Sequence, residues 1–268
     1  MPEGPSIVIL REQAAGFVGR TITHASGNSK AVDFAALAGQ PVRALRSWGK
    51  HFLIQLPNVA LRIHLMMFGS YRINERKDTA PRLSLGFDDG EELNFYACSV
   101  KQIGPDLDSE YDWRGDIMSE QWDAALALKK LRAMPDTLVC DALLDQTVFA
   151  GVGNIIKNEV LFRIRLHPLA TIGDLPPRKL RELVEQARQY SYDFLAWKKA
   201  YVLKAHWLAH TRQTCPRCRI PFQKGQLGKT QRRSFYCNRC QKRYQDWTIA
   251  AADAGSPRQP RLYTSPVR

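Results

Sequence analysis

Two cysteine pairs near the C-terminus constrain this chain more than any other feature. Cys215-Pro216-Arg217-Cys218 is followed, after eighteen residues, by Cys237-Asn238-Arg239-Cys240. Each Cys-x-x-Cys turn brings two sulfurs together, and two such turns at this separation can place four thiolates tetrahedrally around zinc. Four cysteine ligands leave no open position on the ion, so one structural zinc is expected to staple a ribbon over residues 205–250. Cys98 and Cys140 lie far from the cluster in sequence and read as small buried hydrophobes.

Charge singles out the same region. Residues 196–268 carry 16 Lys and Arg against Asp246 and Asp253, a net of +14, whereas the preceding 195 residues hold 23 basic and 24 acidic side chains, a net of −1. A basic ribbon on a neutral body points to a polyanion, most often nucleic acid. Lys224, Lys229, Arg232 and Arg233 lie between the cysteine pairs and arm the ribbon for phosphates. The chain contains no apolar run of about 18 residues, so no membrane span is expected. Glu3 and the Arg11-Glu12 pair bracket too short an apolar run for a secretory leader. An intracellular protein is expected, cytoplasmic and nucleoid-associated, in which cysteines serve metal or core rather than disulfides.

At 44% hydrophobic residues the chain can build a substantial core. Residues 5–18 repeat apolar side chains near the helical period (Ile7, Leu10, Ala14, Phe17, Val18) before Gly19. From about 20 to 105 the pattern becomes short β-like runs. In 47–56, Lys50, Phe52, Ile54 and Leu56 fall on one face by the period of two. Pro57-Asn58 turns this run into 59–66, and further strands are expected at 69–74, 82–87 and 91–96, giving an antiparallel sandwich or barrel. Met66-Met67-Phe68 reads as core, or, at a loop tip, as a wedge for the gap left by an extruded base. Past 105 the acidic stretch GPDLDSEYDWRGD reads as a linker. Helices are expected from a Ser119 cap to 133, with Trp122, Ala125, Leu126 and Leu128 inward, and from Pro135-Asp136 to 146. A turn, Phe149-Ala150-Gly151-Val152-Gly153-Asn154, then leads into a helix over 155–164. Gly151 and Gly153 would admit a phosphate to the backbone, with Asn154 and the free N–H groups of the new helix as an anion site. A long amphipathic helix covers 178–199, and 251–268 reads as a flexible tail.

The first five residues, Met1-Pro2-Glu3-Gly4-Pro5, offer covalent chemistry. Removal of Met1 leaves Pro2 as a secondary amine, and α-amino groups titrate near ~8 rather than the ~10.4 of lysine, so a usable fraction is uncharged at neutral pH. Such an amine can attack an aldehyde-like carbon to give an iminium, and Glu3 beside it can move protons.

MPEGP at the start, Gly49-Lys50, LLDQTVFAGVGNIIKNEVLF at 143–162 and CPRC…QRRSFYCNRCQ at 215–241, in this order, resemble the formamidopyrimidine-DNA glycosylase and endonuclease VIII family over nearly the whole chain to about 250. The resemblance implies an α+β fold. An N-terminal antiparallel β-sandwich domain (1–115) would precede a helical domain with a helix–two-turn–helix (116–204), a four-cysteine zinc finger (205–250) and a tail. It implies a monomeric DNA-repair enzyme acting on damaged or abasic DNA with no redox cofactor. Pro2 would be the nucleophile, Glu3 the proton donor and acceptor, and Lys50 a hairpin lysine on phosphate that assists catalysis. Asn154, with Gly151 and Gly153, would hold the DNA backbone, Arg232 and Arg233 would grip phosphates from the finger tip, and Met66, Met67 and Phe68 would fill the void. Two departures bear on specificity. Ser6 stands where the family usually has Glu, and Lys101-Gln102-Ile103 stands where the 8-oxoguanine branch has an Arg-Phe pair. With only residues 200–214 between the long helix and Cys215, the endonuclease VIII-like branch and oxidised pyrimidines are favoured. Two alternatives stay open. One is a non-catalytic DNA-binding protein of the same fold, for which Ser6 speaks and the trio Pro2, Glu3 and Lys50 speaks against. The other is a small-molecule enzyme using N-terminal proline as a base, which leaves the +14 segment without a purpose.

Overall fold

The computed structural model describes residues 2–244, so the expected tail and the last six residues of the expected finger lie outside the described residues. Helix α1 (Gly4–Gln13) opens the fold, with Pro5 supplying a preset φ in its first turn. It stops at Gln13, short of the Val18 that the periodicity suggests. A 3-10 turn at Ala15–Phe17 finishes the run and still buries Phe17.

Eight strands then form two antiparallel sheets. One takes the order β2-β3-β4-β8, from Ala44–Trp48, His51–Gln55, Ala60–His64 and Ser99–Ile103. The other takes the order β1-β6-β7-β5, from Ile22–Ser26, Leu83–Phe87, Glu92–Tyr96 and Ser70–Ile73. Phe52, Ile54, Leu61 and Ile63 from the first sheet meet Leu83, Leu85, Leu93 and Phe95 from the second, and Ile7, Leu10 and Ala14 of α1 join the same core. Strands β1, β2 and β8 are not legible from alternation.

The run 47–56 is not one strand. It folds back at Gly49-Lys50, where Gly49 takes φ +54°. Lys50 therefore sits at a hairpin tip and not on a face with Phe52. Alternation also fails along β3 because Phe52, Leu53 and Ile54 are all fully buried. The second face of that sheet is covered by the stretch expected as a linker. There α2 (Leu107–Glu110) and the turn at Trp113–Gly115 pack Leu107, Tyr111 and Trp113 on Leu53 and Ala60.

The other half is built on α5 (Asn154–Arg163), with α6 (Pro177–Lys199) and α3 (Ala124–Arg132) around it. Helix α3 begins at Asp123, whose carboxylate accepts from the Leu126 N–H, whereas Ser119 closes an earlier turn by accepting from the Gln121 N–H. Its buried side is Ala127 and Leu131 rather than Ala125 and Leu126. The helix expected over 135–146 reduces to one turn, α4 (Val139–Ala142), between loops. Helix α6 buries Leu180, Leu183, Val184, Ala187, Tyr190, Ser191 and Phe194, close to the expected stripe. Strands β9 (Gln223–Leu227) and β10 (Arg232–Tyr236) form the C-terminal hairpin. Among the described residues no helix is long and apolar enough to cross a membrane.

Candidate active site

The N-terminus, the β2–β3 hairpin and the glycine turn before α5 meet at glycine contacts. The Gly4 N–H donates to the Gly151 carbonyl at 2.8 Å. The Gly151 turn, with φ +104°, stands so close that a Cβ there would meet the Gly4 Cα at 3.3 Å and the Gly49 Cα at 3.5 Å. Three backbones can approach to this distance only where side chains are missing.

This seam delivers Glu3 to the start of α5. The Glu3 side chain is fully buried, and its carboxylate accepts from the N–H groups of Gly153 (3.1 Å), Ile155 (2.7 Å) and Ile156 (3.2 Å). Those N–H groups carry the positive end of the helix dipole and have no intrahelical acceptor. The free N–H groups expected at this turn thus hold an internal carboxyl group. A Cβ on Gly153 would stand 2.4 Å from the Glu3 Cδ, so this glycine makes room for Glu3. Burial pushes the Glu3 carboxyl above its ordinary range, against the opposing pull of the Ile155 N–H, of Lys50 and of the other two amides. A carboxyl raised by burial and held by three amides favours the proton more than a surface glutamate does while remaining aimed.

Pro2 precedes it, half-buried, in a cleft of about 850 Å³ that is also lined by Ser6, Leu65, Met67, Phe68, Tyr71 and Lys198. Lys50 is drawn below its usual pKa by burial, restored in part by Glu3 and lowered further by Arg232, so the hairpin tip, Glu3 and the start of β10 share one field. His64 belongs to the same field. It pairs with His51 across β3–β4 and is pushed down by burial, then by Lys50 and Arg62. Sequence reading misses His64, because its signal is hairpin register and not a motif. Asp116, also missed within the supposed linker, is buried, accepts from the Met118 N–H at 2.9 Å, and rises to about 6, chiefly through desolvation, against the pull of the Met118 and Gly49 amides.

Met66, Met67 and Phe68 occupy the loop between β4 and β5, with Met66 at φ +53° and Phe68 83% exposed. They are not core. The loop closes tightly, the Gly69 N–H donating to Leu65 O at 2.7 Å, and a Cβ on Gly69 would fall 2.0 Å from that oxygen. Asn154 is the first residue of α5, half-buried, with its Oδ1 enclosed and without a donor among the described residues.

Arg232 and Arg233 are exposed at the start of β10. The hairpin tip before them is anchored by buried Asp141, which accepts from the N–H groups of Lys229 (2.8 Å) and Thr230 (3.1 Å) and from the Thr230 hydroxyl (2.9 Å). Asn158 of α5 accepts from the Phe235 N–H at 3.0 Å, and Glu159 accepts from the N–H groups of Leu208, Ala209 and His210. The cation, amide and acid at 157–159, all buried on one helix, thus tie the C-terminal ribbon to the helical body.

Cys215, Cys218, Cys237 and Cys240 place their sulfurs within 4.8 Å of one another, with Cys215 and Cys240 at 3.7 Å. A tetrahedral ion with metal–sulfur bonds of about 2.3 Å requires sulfur–sulfur edges of about 3.8 Å, so the four thiols fit one metal ion. Cys98 and Cys140 are buried elsewhere, and desolvation pushes both thiols up to about 11, as expected of packing residues.

Comparison with known proteins agrees with this architecture. Residues 1–98 match the formamidopyrimidine-DNA glycosylase N-terminal domain, and residues 115–192 match the H2TH domain of the same enzymes. The chain is 31% identical over 214 residues to Endonuclease 8-like 3 of Mus musculus, covering 76% of this chain but only 35% of that protein. It is 27% identical over 253 residues to the DNA-(apurinic or apyrimidinic site) lyase Nei2 of Mycolicibacterium smegmatis, covering 90% of this chain and 99% of the relative. Its fold superimposes with a TM-score of 0.79, at 21% identity, on a Lactococcus lactis formamidopyrimidine-DNA glycosylase bound to DNA containing an AP site, over 90% of this chain and all of the other. With two domain matches, these relatives and this fold, the chain belongs to the formamidopyrimidine-DNA glycosylase and endonuclease VIII family.

Proposed function

We propose that this protein is a bifunctional DNA glycosylase and abasic-site lyase that removes oxidised bases, pyrimidines above all. The observation that carries the reading is Glu3, a buried carboxyl aimed by three backbone N–H groups and one residue from an N-terminal proline in an open cleft. A surface carboxylate after the initiator would need neither the glycine seam nor full burial.

With Met1 removed, the Pro2 nitrogen lone pair attacks C1′ of a nucleotide extruded from the stack. The N–C1′ bond forms as the bond to the base breaks, and the departing base takes a proton from solvent. The Pro2 nitrogen then loses its proton to solvent and the C1′–O4′ bond opens, O4′ taking the proton of Glu3. The resulting iminium acidifies C2′. Loss of a C2′ proton expels the 3′ phosphate, and a second elimination expels the 5′ phosphate. Lys50 and Arg232 bear the developing phosphate charge, and His64, its imidazole pushed toward the neutral form, can donate a hydrogen bond beside them. In a half-buried site such cations act more strongly than in water. Asn154 and Arg233 contact the backbone on either side, and Met66, Met67 and Phe68 enter the vacated stack. The four cysteines hold zinc, whose chemistry is structural: it fixes the hairpin that carries Arg232.

One feature supports pyrimidines. Between α6 and Cys215 the chain makes only a short 3-10 turn at Leu203–His206, which leaves little chain to cap a flipped purine. The test compares duplexes with one oxidised pyrimidine, one 8-oxoguanine or one abasic site, with cut ends resolved by gel. The reading expects excision of the pyrimidine well above the purine, and strand ends from both eliminations. Salt-sensitive binding without any cutting would support the non-catalytic alternative.

A further inference from the structure

One buried cation has no place in the chemistry above. Lys157, in the first turn of α5, is 1% exposed. Its Nζ donates to Ser234 Oγ at 2.8 Å and to the Arg233 carbonyl at 3.3 Å, and to no carboxylate among the described residues. Burying an ammonium without an ion pair is unfavourable, and an apolar side chain of the same length would fill this space without that penalty. The environment registers that cost: desolvation brings Lys157 down to about 8, opposed by Cys140, Asp141 and Glu3 and aided by Arg232. At neutral pH the cation is still mostly present.

The two atoms that Lys157 holds lie directly after the residue of interest. Arg232 lies between the tip anchored by Asp141 at 229–230 and the segment 233–235, held by Lys157 and Asn158. Arg232 and Ser234 are two residues apart on β10 and share a face by strand alternation. The helix that donates to Glu3 through its first N–H groups therefore also holds, three residues on, the strand carrying Arg232.

We propose that Lys157 is a positioning residue that sets Arg232 against the Glu3–Lys50 centre, through its bonds to the Arg233 carbonyl and the Ser234 hydroxyl. The inference rests on the lyase reading, with Arg232 serving the second elimination. Lys157→Met keeps the stem and removes both donor bonds, while Asp141 and Asn158 still anchor the ribbon.

The experiment uses full-length protein on abasic duplex DNA and measures the ratio of second- to first-elimination product, with zinc content as control. Lys157→Met should retain wild-type zinc and lower the ratio on the order of tenfold, as small displacements of an aimed group do. Arg232→Ala should lower it similarly, and the double variant should fall no further than Arg232→Ala, because Lys157 acts through Arg232. Should Lys157→Met fail to fold, Ser234→Ala decides, with a smaller drop in the same direction. An unchanged ratio with full zinc, or additive losses in the double variant, overturns the proposal. Wild-type protein that cuts no abasic DNA would instead sink the lyase reading itself.

Discussion

Substituting Gly153 by alanine isolates the contact on which the site depends. Gly153 has φ −124°, a backbone conformation any residue adopts, so the substitution introduces no torsional strain. Its effect is collision alone. The new Cβ would stand 2.4 Å from Glu3 Cδ, 2.5 Å from Cγ and 2.6 Å from Oε1. Relief to an ordinary contact requires the carboxylate to retreat by about 1 Å. Hydrogen bonds of 2.7–3.2 Å do not survive that retreat, and Glu3 is buried away from replacement water. Stripping three hydrogen bonds from a buried carboxyl group costs roughly 3 kcal/mol. For a domain of this size the melting midpoint should fall on the order of 10 °C. A displacement of that size should also slow abasic-site cleavage about 100-fold. Calorimetry and single-turnover gel kinetics measure the two effects. Gly90→Ala is the control, because Gly90 has φ +82° and nothing within 4 Å of an added Cβ, so only about 1 kcal/mol of strain is expected. Native stability and rate in Gly153→Ala would refute the proposed anchoring of Glu3.

Asp116 supplies a pH signature. Its folded pKa is raised to about 6 from 3.8, so the folded state binds the extra proton and its stability contribution, complete below 3.8, is lost as pH rises through 6. Denaturant titrations of Asp116→Asn should show the variant gaining about 2 kcal/mol relative to wild type between pH 4 and pH 7; a difference independent of pH would contradict the burial argument. Cys237→Ser, or chelation of the intact protein, should release the metal and disorder the β9–β10 hairpin. DNA binding should weaken, and its salt dependence should become shallower by about 0.9 for each phosphate no longer gripped. Unaltered binding by metal-free protein would argue against a structural ion.

Some of this is readable from sequence because its signals are local. The cysteine spacing, the α6 stripe and the 155–164 helix rest on contacts a few residues apart, and the structure reproduces them closely. What fails depends on distant partners. Lys50 looks like a strand residue because Phe52, Ile54 and Leu56 alternate, yet Leu53 between them is equally buried under Tyr111 and Trp113. The same covering makes the acidic stretch after 105 structural, a role its composition disguises. The turn at 149–154 does hold an acidic group, as its glycines suggest, but that group is the Glu3 carboxyl, 150 residues earlier in the chain. Lys157, Asn158 and Glu159 escape notice because charged residues inside a helix normally face water. Here they hold backbone groups of the ribbon, a relation visible only in three dimensions.

The central claim is that the Pro2 nitrogen becomes covalently joined to the sugar of a damaged nucleotide. Borohydride reduction of the protein, with Pro2 confirmed as its first residue, on duplex DNA bearing one abasic site tests this directly when the crosslink is mapped by mass spectrometry. The account predicts a stable adduct on Pro2, absent from Pro2→Gly protein that folds normally. A crosslink on a lysine, or none despite salt-sensitive binding, would contradict it.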